Sequence, residues 1–281
     1  MSIRNFTALR RTQLGLSVVE LMVAMALGLL LMTGVIQVFL SSRQTYAANE
    51  AMGRLQENGR FALEFIARSA RLSGYIEPVF QGGKPIVIVP ESCAGLPGTP
   101  PAGMCSENNI DNGSGRLTDS ISFVFQPPLT DGARRDCLGT DLSSLPFPNN
   151  RLVVNNYFID ATVNPAALKC RTYSFVNSPT SSQTTMVTGE IISGIDNLQV
   201  LYGINTSGDS RSANQYVSAD RVTNWNNVRS VRIALLANSI DTLTPAPTER
   251  NFVLLDAAPI TFTDNRARQI FSTTIQLKNT F

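Results

Sequence analysis

The sequence predicts an α+β protein: a long N-terminal helix, transmembrane in its first half, packed on an antiparallel β-sheet head. Three observations carry this. Glu20 is the only charge among the 25 residues from Leu16 to Leu40. No proline occurs from Ser41 to Ser73, where apolar or small residues recur every three to four positions. Beyond Glu77 short β-type runs alternate with Gly, Pro and Asn clusters. One helix followed by strands argues α+β and not a parallel α/β sheet.

The first 15 residues carry Arg4, Arg10 and Arg11 and no acid. The apolar run follows, with Arg43 beyond it. At about 1.5 Å per residue the run spans the ~30 Å hydrocarbon core of a bilayer. It is too long for a cleaved secretory segment, and no small-residue cleavage site follows. Charge asymmetry puts the N-terminus in the cytoplasm and the rest outside. A carboxylate inside such a run is costly unless it has a partner or a use.

The helical pattern continues through Ala48, Met52, Leu55, Gly59, Ala62, Ile66 and Ala70. Arg54, Glu57, Arg60, Glu64, Arg68 and Arg71 occupy other faces, with Glu57–Arg60 and Glu64–Arg68 at supportive spacings. Gly74 and Pro78 end the pattern. The predicted division is a leader at 1–15, a helix at 16–73 and a β-rich head at 74–281.

Strands are expected at Ile121–Gln126, Leu152–Ile159, Arg171–Val176, Met186–Ile192, Leu198–Ile204, Val228–Leu236 and Gln269–Leu277. Alternation is clearest at 231–235 and 271–277. A short helix is expected near Ala213–Asn226, containing Tyr216 and the single tryptophan, Trp225.

Formal charge is +2, but removing the leader's three arginines from 23 basic residues leaves 20 against 21 acidic. The remaining chain has no basic footprint for nucleic acid. Arg134-Arg135 and Arg229/Arg232 are weak candidates for DNA contact and read better as surface ion pairs. The chain contains no histidine, which removes Ser-His-Asp and Cys-His catalysis and histidine metal sites. No catalytic residue, cofactor or metal is expected. Asp111, Asp119, Asp131, Asp136 and Asp141 read as turn caps and solvated loops, and Asp209 as a turn signal. Cys93, Cys105, Cys137 and Cys170 have no zinc-type spacing and, in an exported head, read as two disulfides. Of three connectivities, Cys93–Cys105 and Cys137–Cys170 are favoured because each ties a local loop.

Gly15, Leu16 and Glu20, followed by Leu21-Met22-Val23-Ala24, resemble the prepilin cleavage and methylation motif of type IV pilins and type II secretion pseudopilins. The resemblance implies cleavage by a prepilin peptidase between Gly15 and Leu16, and N-methylation of Leu16, where the family usually has Phe. It also implies that Glu20 is the acid with which a subunit docks. A Glu20 carboxylate paired with a neighbour's terminal amine would be tolerable in an apolar filament core where either ion alone is costly.

The stretches at 228–235 and 267–279 resemble PilW-type minor pilins, with J-type minor pseudopilins of type II secretion systems the near alternative. The resemblance implies a subunit that helps initiate pilus assembly and present tip components. Such pili serve twitching motility, adhesion and often DNA uptake. Implied partners are other minor pilins, the major pilin, the peptidase and a tip adhesin, with the inner membrane holding the subunit before assembly. Nucleic acid is left open as a partner. A membrane-anchored periplasmic enzyme is a third class, and it leaves Glu20 without a role.

Overall fold

The computed structural model describes residues 15, 17–76, 86–93, 96, 101–127, 135–142, 151–176, 186–208, 212–244 and 251–280. The chain divides into two compact units, Met1–Ala47 and Ala48–Phe281, and helix α1 (Val18–Leu72) contributes to both.

In the first unit every described helical residue is solvent-exposed, although most are apolar. No charge interrupts the 22 residues between Glu20 and Arg43. Among the described residues α1 alone is long and apolar enough to cross a membrane. Two of its hydroxyls turn inward: Thr33 Oγ1 donates to Leu29 O at 2.8 Å and Thr45 Oγ1 to Ser41 O at 2.9 Å. Such back-bonding satisfies a hydroxyl where no water is available. The Arg43 guanidinium lies over the Phe39 ring where the apolar run ends.

In the second unit α1 buries Ala51, Leu55, Gly59, Ala62, Ile66, Ala67, Ser69 and Ala70. Most are small, so the helix axis lies close to what it covers. The helix ends at Gly74, whose φ of +75° glycine adopts without steric cost. Gly74 N donates to Val124 O, and Asn279 Nδ2 donates to Ser73 O at 2.9 Å. The C-terminal segment thereby supplies a donor to the helix end. Two ion-pair expectations change. Glu64 pairs with Arg71, two turns on, and not with Arg68; Arg60 lies over the Phe61 ring and makes no ion pair with Glu57. All these side chains are exposed, so little energy distinguishes the pairings.

Ten strands follow among the described residues: β1 (Ile110–Asp111), β2 (Leu117–Thr118), β3 (Ile121–Phe125), β4 (Arg151–Asp160), β5 (Ala167–Val176), β6 (Val187–Ser193), β7 (Ile195–Ile204), β8 (Gln215–Val217), β9 (Val228–Asn238) and β10 (Arg268–Gln276). They form a ribbon, β1-β2, and two four-stranded sheets, β3-β4-β5-β6 and β10-β9-β7-β8, all antiparallel. The α+β class is therefore observed, with the expected sheet divided into two. Gly194 makes the crossing from β6 to β7, at φ +81°. A β-carbon there would lie 2.9 Å from Ile240 Cγ1.

One core joins α1 to both sheets. Leu55, Ala62 and Ile66 pack with Phe123, Tyr157 and Leu168 of the first sheet and with Leu198, Val200, Ile233 and Leu235 of the second. The other face of the first sheet is covered as well, where Val89, Leu96 and Met104 meet Val154, Tyr173 and Phe175. That double cover explains why β4 is buried along nearly its whole length instead of alternating.

The helix expected at Ala213–Asn226 is absent. In its place stand β8 and two 3-10 turns, Ala219–Arg221 and Trp225–Asn227. Tyr216 pairs with Gly203 of β7, and its hydroxyl lies 3.1 Å from Ser230 Oγ. The Asn224 side chain accepts from Asn226 N and starts the second turn. Val217, Val222 and Thr223 are β-branched, so intrinsic helix preference was weak enough for pairing to override it.

Candidate assembly site

The N-terminal segment carries the predicted processing and docking residues. Gly15 and Glu20 are exposed, and Leu16 lies outside the described residues. Ser17 opens α1: its Oγ accepts from Val19 N at 3.3 Å and its carbonyl from Leu21 N at 3.1 Å. Glu20 is the acid of the first turn. Ser17-Val18-Val19-Glu20 thus has the S-x-x-E spacing of a capping box. A first-turn carboxylate is also favoured by the partial positive charge of a helix N-terminus. This second role for Glu20 was readable from the spacing but was hidden by the stronger membrane signal.

The four cysteines form two disulfides, Cys93–Cys105 and Cys137–Cys170, with Cα–Cα distances of 5.1 and 6.4 Å. The first closes the segment that covers the outer face of β3–β5. The second holds the 135–142 turn against β5, at the fully buried Cys170.

The loop carboxylates separate into two kinds. Asp111 Oδ1 accepts from Gly113 N and Gly115 N, and Asp136 Oδ1 from Leu138 N and Thr140 N. These are turn caps. Asp141 is exposed, and Asp131 lies outside the described residues, as does Asp209. Asp119 departs from the expectation, being only 3 % exposed. Its oxygens accept from Asn109 N at 3.0 Å and Val200 N at 2.8 Å. Thr118 Oγ1 accepts similarly from Leu198 N at 3.0 Å. Side chains of the 117–119 segment therefore complete the edge of β7 where short β8 stops. Burial pushes the Asp119 carboxyl up to about 7 despite those two bonds.

Of the arginines considered for DNA, those described are tied into the fold. Arg229 donates to Asn226 O at 2.7 Å. Arg232 Nε donates to Thr274 Oγ1, and its guanidinium lies 4.2 Å from the Tyr216 ring centroid. Arg135 donates to Gly139 O, and Arg134 lies outside the described residues.

Fold and site together define a class: an α+β protein whose apolar N-terminal helix fits membrane association and whose β domain carries two disulfides. Residues 156–279 match the family model described as Type IV Pilus-assembly protein W. That stretch runs from within β4 through β10, so the sheet portion is similar to a type IV pilus-assembly family, which suggests interaction with other pilus components and a structural, non-enzymatic role. No curated protein and no solved structure matches the chain.

Proposed function

We propose that this chain is a minor pilin of a type IV pilus. In this reading the leader is cut between Gly15 and Leu16, and Leu16 is N-methylated. The helix holds the subunit in the inner membrane with its head in the periplasm. Glu20 then docks against the terminal amine of an adjacent subunit as the filament starts. The head stands at or near the tip, where it meets other minor pilins, the major pilin and a tip adhesin. The observation that carries the reading is the family match over 156–279, lying behind an apolar sequence that opens with Gly15-Leu16 and Glu20.

The test is a chromosomal deletion. Surface pili and twitching should fall sharply and return with the wild-type gene. Mass spectrometry of the protein from sheared pili should give an N-terminus at methylated Leu16. Normal piliation in the deletion, with loss of protein secretion, would replace this reading with that of a J-type pseudopilin. An intact leader in cells with active peptidase would remove the processing step.

A further inference from the structure

A small polar pocket of about 200 Å³ opens beside Asp196, between the β1-β2 turn, the β4-β5 connection and the segment before β10. It draws together three arginines distant in sequence, Arg116, Arg266 and Arg268. Arg268 is already committed. Its Nε donates to Asp196 at 2.6 Å, and both terminal nitrogens donate to Asp264. Asp196 also accepts from Asn238 Nδ2 at 2.8 Å, so both carboxylates are occupied.

The other two guanidiniums are not. Arg266 Nε is buried and has no hydrogen-bond partner. Arg116 makes one long bond, 3.4 Å to Ser114 Oγ. Its guanidinium lies 4.4 Å from the Phe262 ring centroid, and that of Arg268 lies 3.5 Å from the same ring. Phe262 thus gathers two cations at the pocket while offering no anion. Three guanidiniums against two carboxylates leave a net positive charge. A buried donor without a partner is costly, and a ligand drawn to the Arg266 side chain would offset that cost.

From this geometry we infer that the pocket binds a carboxylate, received by Arg266 and Arg116. A guanidinium presents a planar fork that matches a carboxylate two bonds at a time. Pockets for drug-sized ligands run to about 300–1,000 Å³, so this one admits a single acidic group and not a nucleotide. The carboxylate comes either from a free small acid or from an aspartate or glutamate of a protein chain. The chemistry is the same for both, and it stands whatever filament the chain joins.

The test uses the full chain in detergent and ligand-observed NMR. The probes are N-acetyl-aspartate N-methylamide and its asparagine counterpart. The acid should bind saturably, with the neutral amide weaker by about tenfold or more. Arg266→Gln should weaken the acid by a similar factor, and Arg116→Gln should act in the same direction. Circular dichroism checks that each variant is folded. A tripeptide, acetyl-Gly-Asp-Gly-amide, distinguishes the sources: much tighter binding than the single residue points to a protein carboxylate, and equal binding to a free acid. Absence of saturation, equal binding of the amide, or unchanged binding in both folded variants would overturn the inference.

Discussion

The ring of Phe271, on strand β10, occupies the space over Gly59 of α1 that a β-carbon would need. Glycine within a helix costs about 1 kcal/mol relative to alanine. Here the missing side chain lets the edge of the second sheet approach the helix. Gly59→Leu should therefore destabilise the β domain by about 1–3 kcal/mol through overpacking. Truncating the ring in the same chain, with Phe271→Ala, should recover part of that loss. Chemical unfolding of the two single variants and the double variant measures the coupling, expected at about 0.5–3 kcal/mol. Strictly additive effects would show that the ring and residue 59 do not compete for space.

Asp119 gives the β domain a pH dependence. Burial raises its carboxyl from 3.8 to about 7, and the nearby carboxylates of Asp256 and Asp220 push the same way. The folded state then holds the proton more tightly than the unfolded chain. Stability should fall as pH rises from about 4 through about 7, and level off above. Asp264 behaves oppositely: hydrogen bonding to Arg268 holds it below its ordinary value, so its contribution is lost on acidification. Unfolding should be harder at about pH 5 than at about pH 8, by up to about 2–3 kcal/mol. Asp119→Asn should flatten most of that difference, leaving the share of Glu107, also raised by burial. An unchanged pH profile in the variant would assign the effect elsewhere.

The disulfides should contribute unequally. Cys137–Cys170 joins residues 33 apart, against 12 for Cys93–Cys105. Chain-entropy reasoning makes the longer closure worth about 1 kcal/mol more. Replacing each pair by alanine should cost about 2–5 kcal/mol, with the Cys137–Cys170 pair the larger. Native protein under non-reducing conditions should offer no thiol to an alkylating agent; four reactive thiols would refute both bonds.

Much of the fold was legible because its signals are local. The glycine at 74 ends α1, small residues mark its buried face, and 271–275 alternate as β10 requires. What was missed depends on distant partners. The start of β7 contains Asp196 and Asn197, which look like loop residues until Arg268 and the Leu117 carbonyl satisfy them. The start of β5 follows Pro165 with Ala167, Leu168 and Lys169, which are indifferent strand formers, and the β6 ladder decides it. Asp119 resembled a turn cap because its true partner, the Val200 amide, is 81 residues away. The Arg116–Arg266–Arg268 pocket is invisible for the same reason.

The final prediction separates two roles for Glu20. As the first-turn acid of an S-x-x-E start, it steadies the helix by a few tenths to about 1 kcal/mol. As a docking group, its negative charge pairs with the amine of an adjacent subunit. Alanine removes both functions, so Glu20→Ala alone does not distinguish them. Glutamine does, because its side chain is still able to reach back to the Ser17 N–H as in a capping box, losing with the docking charge only the weak charge–dipole contribution. If docking rests on the charge, Glu20→Gln and Glu20→Ala should both leave the leader cleaved and the head folded, and both should accumulate in the inner membrane. The amount of the chain in sheared pili should fall alike in the two variants. Removing one partner of a buried ion pair costs about 3–5 kcal/mol, far more than a weakened cap. Ser17→Ala supplies the complementary measurement, since it removes the cap and leaves the charge. Near-normal incorporation of Ser17→Ala beside failure of Glu20→Gln is the expected pattern. Normal incorporation of Glu20→Gln with failure of Ser17→Ala would make Glu20 a helix-starting residue and remove it from the subunit contact.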